Sequence, residues 1–563
     1  MNKHILHEKL DFENYRALIE WAGEEHALKN AYSFKRDLHK PHVTRITFSK
    51  LRDDVRAMTS ALIKKGCCGK QCVVIGKMSY EWAVLYYSVI MAGGVLVPLD
   101  KDWHAEELAK TVKKADAAFL FIDEDIAEKA DVIKAENEQF VCEPAIISAE
   151  GAIREMIEEG KKIFKSNPDL YFNHPTDAKK MSLLVFTSGT TGEGKGVMLT
   201  QEAVLTDVTH VVPYIDYSNK TVAVLPPHHT YGSSVTFVGH TIIGCEVYIS
   251  AGLRYIQKEL KDEKPGHLAL VPLYLETFYR KIQANVKEQK KDRILKVMLG
   301  LSAALRKVGI DLRKKLFKSI RAAFGGEVKM IISGGAPINA EILEFYEAVG
   351  ISTLNGYGIT ECAPIIAVNR TKNVVRGSVG NVLECNTVKI DSPNEDGEGE
   401  IWVKGRNVML GYYKNEEATR DAITEDGYFK TGDYGKLDKN GILYITGRKK
   451  NLIILSNGKN VYPEEIENDL IATPGLLDVI VYEGQSRRGM EYNAIVAEIF
   501  PDKDFMEKNG ITDVKAYLEG YIAEYNKTAV PYKKITVLKV RDEEFPKNTL
   551  RKIMRFKLDM TID

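Results

Sequence analysis

Met181-Ser182-Leu183-Leu184-Val185-Phe186 runs directly into Thr187-Ser188-Gly189-Thr190-Thr191-Gly192-Glu193-Gly194-Lys195-Gly196. The first six residues read as a buried strand, and the ten that follow hold glycines, hydroxyls and a lysine. Glycines let main-chain N–H groups come close to an anionic ligand, and Lys195 and the hydroxyls add donors. The stretch has the chemistry of a phosphate cradle.

Gly189, Gly194 and Lys195 keep the P-loop spacing G-x-x-x-x-G-K. That signature continues with Ser or Thr to hold magnesium, and here the next residue is Gly196. A P-loop nucleotide switch is therefore disfavoured and stands as the alternative from a different functional class. Further motifs follow in order: Ser333-Gly334-Gly335-Ala336-Pro337, then Asn355-Gly356-Tyr357-Gly358-Ile359-Thr360-Glu361, then Thr431-Gly432-Asp433 through Gly447-Arg448-Lys449-Lys450. The last runs into Ser456-Asn457-Gly458-Lys459-Asn460, and Pro546-Lys547-Asn548-Thr549-Leu550-Arg551-Lys552 closes the set. In kind and order these resemble the signature motifs of the adenylate-forming superfamily, the AMP-binding acyl-CoA synthetases, luciferases and peptide-synthetase adenylation domains. The resemblance covers essentially the whole chain.

That resemblance implies two-step chemistry: acyl-AMP formation from a carboxylic acid and ATP, then transfer to CoA. It also implies roles. Thr187, Ser188, Gly189, Thr190, Thr191, Gly192 and Lys195 would hold the β- and γ-phosphates, with Mg²⁺ on Thr187 and Glu361. Thr360 would meet the α-phosphate, and Gly335, Ala336, Asn355, Gly356 and Tyr357 would lie at the adenine. Asp433 would take the ribose hydroxyls and Arg448 the ribose or phosphate. Lys552 would reach in from a C-terminal lid that pivots at Lys450, and Gly458 would let the pantetheine arm pass in the second step. Leu550-Arg551 stands where the family has Ser-Gly before its lysine, which leaves Lys547 as a competitor.

The acid is less legible. Pro226-Pro227-His228-His229-Thr230-Tyr231-Gly232 resembles the family's acyl-site motif, with His229 flanking the substrate carboxylate. Amino-acid-activating relatives carry Asp where Thr230 stands, which argues against an amino acid. Gly358 replaces the tryptophan of acetate-specific relatives, so the floor of the site is expected to be open, with room for a tail beside Ser234–Gly239. These readings point to a medium- or long-chain fatty acid. The alternatives are an aryl-acid CoA ligase and an acyl-AMP ligase that loads a carrier protein.

The bulk properties agree. The 563 residues hold 78 basic and 78 acidic side chains, so no overall field favours nucleic acid. Local basic runs such as Lys287 to Arg293 read as solvated helix faces. No apolar stretch approaches a transmembrane segment, and Met1 to Glu8 lacks a signal-peptide pattern, so the expected location is cytoplasmic. Cys67, Cys68 and Cys72 cluster without a further ligand at zinc spacing. Alternating strand and helix signals from Phe48 to Leu354 predict an α/β fold with parallel-type sheets, and Gly380 to Tyr413 reads as a β-rich portion. Beyond Arg448 a smaller α+β unit begins. The expected domains are 1–449, for adenylation, and 450–563, the lid.

Overall fold

The computed structural model describes residues 4–148, 151–187, 194–455, 460–484, 494–547 and 553–562. Near the N-terminus the apolar stripe Phe48, Leu51, Val55, Met58 and Leu62 lies on the helix Phe48–Lys64 and is buried throughout. Thr47 caps that helix by accepting from the Lys50 N–H, and each buried side chain contributes roughly 1.5–3 kcal/mol. The helix Ala152–Ser166 packs on it so closely that a Cβ at Gly160 would lie 1.9 Å from the Ala57 carbonyl oxygen. Only glycine allows that approach.

A seven-stranded sheet runs in the order Gly411–Tyr412, Lys195–Thr200, Met181–Thr187, Val95–Leu99, Gln71–Ile75, Ala117–Asp123 and Ala145–Ile147. Its centre is parallel, as the strand–helix alternation predicts, with Gln71–Ile75 between Val95–Leu99 and Ala117–Asp123. The helix Tyr80–Met91, capped by Ser79, is buried all around its circumference. Such a helix has no water-facing side and sits between layers. Trp82 stacks on Phe237 with centroids 5.3 Å apart. A four-stranded sheet of Thr44–Thr47, Asn30–Phe34, Glu246–Ile249 and Lys220–Ala223 lies alongside.

The third sheet has nine strands and changes character midway. His267–Leu270, Met330–Ser333 and Ser352–Gly358 are parallel. From Ser352–Gly358 onward the pairing is antiparallel, through Ile365–Val368, Gly380–Val382, Ile442–Arg448, Phe429–Leu437, Gly399–Gly405 and Asn386–Asp391. The β-rich portion therefore continues the α/β sheet. The strand carrying Asn355, Gly356 and Tyr357 sits at the change.

After Arg448 the 3-10 turn Lys449–Asn451 leads to a smaller unit with its own core. Its sheet, Leu476–Glu483, Ile495–Pro501 and Val537–Val540, packs with the helices Pro463–Leu470 and Val514–Thr528. Among the described residues no helix is long and apolar enough to cross a membrane.

Candidate active site

Thr187 ends one strand and Lys195 begins the next, and the two are paired across an antiparallel hairpin. The glycine-rich stretch thus joins strand to strand. A P-loop joins strand to helix, so the P-loop alternative fails on topology. Ser188, Gly189, Thr190, Thr191 and Gly192 lie outside the described residues. At the base of the hairpin Thr187 Oγ1 donates to the Lys195 carbonyl at 3.4 Å, and the Lys195 ammonium lies 4.8 Å from the centre of the Tyr412 ring.

Tyr412 connects this hairpin to the next motif. It belongs to the short strand Gly411–Tyr412, paired with Lys195–Thr200, and its hydroxyl donates to Glu361 Oε1 at 2.9 Å. Glu361 sits in the 3-10 turn Thr360–Cys362, three residues past the end of the strand Ser352–Gly358. Burial pushes its carboxyl above the usual range, while hydrogen bonding and Arg448 pull the other way. A half-buried carboxylate suits a hard cation such as Mg²⁺. Sequence reasoning missed Tyr412, because the pair Tyr412-Tyr413 in a turn-rich stretch carries no spacing signal.

Tyr357, Asp433 and Arg448 form a single network. Asp433 and Arg448 are register partners on adjacent strands, with Arg448 Nε 3.1 Å from Asp433 Oδ1. The Tyr357 hydroxyl donates to Asp433 Oδ2 at 2.7 Å. Asp433 is only 3% exposed. Its charge raises the Arg448 pKa, and burial followed by that same charge raises the Tyr357 phenol. Ser333 pairs with Asn355, so Gly335 and Ala336 emerge beside the Asn355–Tyr357 strand. Gly335 has φ +88°, in the left-handed region that favours glycine.

An apolar cavity opens next to these residues, lined by Ile215, Tyr217, Tyr231, Val235, Gly334 and Gly358 among others. Val235 belongs to the π-helical turn Ser234–Gly239, the segment expected to flank a tail. His229 precedes the helical turn Thr230–Ser233 that carries Tyr231, and its ring packs 4.1 Å from that of His228. His228 Nε2 in turn lies 3.4 Å from the buried Asp100.

The AMP-binding enzyme family model matches residues 19–413. The chain belongs to the AMP-binding enzyme family. It is 29% identical over 464 residues to the long-chain-fatty-acid–CoA ligase FadD15 of Mycobacterium bovis, covering 78% of this chain and 75% of that one. Among solved structures, the anthranilate CoA ligase AuaEII with anthranoyl-AMP superposes with a TM-score of 0.76 at 17% identity, covering 97% of this chain and 96% of that one. The o-succinylbenzoate CoA synthetase of Bacillus subtilis, with ATP and magnesium, gives 0.71 at 20%, covering 96% and 98%. The fold is that of the adenylate-forming enzymes.

Gly358 carries a further constraint beside the open floor expected of it. Gly358 was to open the floor by lacking a side chain. It does line the cavity, but a Cβ there would lie 1.9 Å from the Pro364 carbonyl oxygen. The turn Ile359–Pro364 folds back onto Gly358, closed by Ile359 N–H donating to Pro364 O at 2.8 Å. In this chain backbone proximity is a second reason for glycine at this position.

The C-terminal unit meets this site along a polar seam. Asn339 Nδ2 donates to the Asn468 carbonyl at 2.6 Å, and Lys287 Nζ to Asn509 Oδ1 at 2.7 Å. Lys450 lies in the connecting turn, its pKa lowered by burial and then by Arg448. Lys547 is held by Asp478 at 2.6 Å and Glu544 at 2.7 Å, its side chain 9% exposed. The competitor lysine is therefore engaged within the C-terminal unit. Lys552 and Gly458 lie outside the described residues.

Proposed function

We propose that the chain activates a medium- or long-chain fatty acid with ATP, forming acyl-AMP and pyrophosphate, and then transfers the acyl group to CoA, releasing AMP. The observation that carries this reading is the apolar cavity opening directly beside the Tyr357–Asp433–Arg448 network. A hydrocarbon tail gains about 0.8 kcal/mol per methylene buried there. The fatty-acid CoA ligase relative supports the same acid class.

In this reading the oxygens of Asp433 accept the ribose hydroxyls, and Arg448 holds the neighbouring negative charge. Gly335, Ala336, Asn355, Gly356 and Tyr357 frame the adenine. The Gly189–Gly192 stretch with Ser188 and Lys195 cradles the β- and γ-phosphates, while Thr360 contacts the α-phosphate. Glu361 and Thr187 would hold Mg²⁺, which supplies charge neutralisation at the phosphates. His229 flanks the acid's carboxylate. Because adenylation makes one P–O bond and breaks another, the protein's part is placement and charge stabilisation.

Residues 450–563 act as a lid pivoting at Lys450. Lys552 enters for adenylation, and the Gly458 segment replaces it for thiolation. The location in the cytoplasm is part of the same proposal. A panel of acids from acetate to palmitate, assayed with CoA by thioester formation, tests the reading. Maximal kcat/KM at eight or more carbons is expected. A maximum with benzoate-type acids would favour the aryl-acid alternative, and acyl-AMP that accumulates with CoA present would favour the carrier-protein one.

A further inference from the structure

The helix Asp292–Lys307 carries apolar residues on two faces. Leu295, Met298 and Leu299 pack against the core beneath Pro272–Glu288 and Ala340–Ala348. Ile294, Val297 and Leu301, continued by Val308 just past the helix end, recur at steps of 3, 4 and 7 and form a second stripe that is 55%, 69%, 50% and 70% exposed. At about 100° per residue this stripe spans roughly 60° of arc. A surface helix ordinarily turns polar residues to water. This one turns a row of branched aliphatics.

The charge around the stripe is one-sided. Residues 290–318 hold ten Lys and Arg against Asp292 and Asp311, in a chain whose total charge cancels. Among the described residues only Arg313 of those ten has an ion pair, with Asp311. Arg293, Lys296 and Lys307 fall in the helical sector bordering the stripe on the side away from the core, and all three are exposed. The sequence alone reads these bases as a solvated face. The exposed aliphatics beside them change that reading.

We propose that Asp292–Lys307 is an interfacial docking helix that lays its aliphatic stripe into the headgroup–acyl boundary of an anionic phospholipid bilayer. Apolar burial and attraction of neighbouring bases to anionic headgroups act together in such helices. A second copy of this chain fits less well, since a two-fold contact would bring two basic surfaces together. The helix Pro272–Glu288 links the docking element to Val271, whose Cγ1 lies 3.8 Å from the Cβ position of Gly335. Docking thereby fixes the enzyme at a surface where amphiphilic acids are concentrated. The inference stands whether or not the preferred acid is long.

Flotation of the full-length protein with phosphatidylcholine vesicles, with and without phosphatidylglycerol, tests it. Binding to the anionic vesicles should exceed binding to the neutral ones by about tenfold or more and weaken in high salt. The variant V297E/L301E should stay unbound while keeping wild-type ligase activity on a water-soluble short acid. R293Q/K296Q/K307Q should lose the salt-sensitive part of binding. Wild-type protein that fails to float with anionic vesicles, or V297E/L301E that floats as well as wild type, would overturn the proposal. So would sedimentation showing that V297E/L301E turns an oligomer into a monomer with flotation unchanged.

Discussion

The nucleotide-facing network and the seam to the C-terminal unit are built differently. Tyr357, Asp433 and Arg448 are set by strand register, with a buried acid at their centre. Along the seam, Asn339 donates to the Asn468 carbonyl and Lys287 reaches Asn509 at an exposed position. A hydrogen bond of this kind contributes about 0.5–1.5 kcal/mol, less where solvent competes. The network is preorganised, and the seam is the part that the proposed lid motion would exchange. This is the division of labour that two half-reactions at one nucleotide site require.

The largest expected effects come from the proposed lid. Lys552→Ala should abolish acyl-AMP formation yet spare thiolation of supplied acyl-AMP. Lys450→Pro should do the reverse, because proline fixes φ at the pivot. Equal loss of both half-reactions in both variants would break the contrast between fixed floor and moving lid.

Next comes Glu361→Gln, expected to slow acyl-AMP formation at limiting Mg²⁺ at least about a hundredfold, or about 2.7 kcal/mol. Since burial raises the Glu361 pKa, the folded state holds this proton more tightly than the unfolded one. Its contribution to stability is therefore present at acidic pH and lost as pH rises through the raised pKa. Metal binding has the opposite sign, weakening as pH falls through that pKa. Calorimetry should show a Tm for Glu361→Gln at neutral pH no lower than wild type. A lower Tm would make Glu361 a structural residue.

Gly358→Ala probes the backbone around the floor. With Pro364 O 1.9 Å from the new Cβ, overpacking should cost roughly 1–3 kcal/mol in thermal unfolding and reduce activity on every chain length alike. Selective loss on long acids alone would return Gly358 to a purely steric role. The smallest effect is expected of Asp433→Asn, which keeps the shape and removes the charge. KM for ATP should rise about tenfold, near 1.4 kcal/mol, with kcat largely kept. A fall in kcat at constant KM would place Asp433 in the chemical step.

Much of this was legible in the sequence. The stripe from Phe48 to Leu62 has helical period and is buried as a helix; Cys72 to Ile75 and Ala118 to Ile122 read as strands and are strands. The motifs singled out Thr187, Glu361, Asp433 and Arg448 as candidates because loops at strand ends carry local signatures, and the structure places Asp433 against Arg448 and Glu361 against Tyr412. Three features left no such trace. Tyr412 acts through a strand pairing over 200 residues from its partner. Gly358 is constrained by Pro364, six residues on, through a turn whose closure no spacing shows. The continuity of the nine-stranded sheet depends on which edges of Ser352–Gly358 are paired, a tertiary fact.

Exchange of labelled pyrophosphate into ATP, with and without a fatty acid and in the absence of CoA, tests the central claim most directly. The account predicts exchange that requires the acid and Mg²⁺, persists without CoA, and disappears in Lys552→Ala. Release of orthophosphate with no acid present, or exchange undiminished in Lys552→Ala, would contradict it.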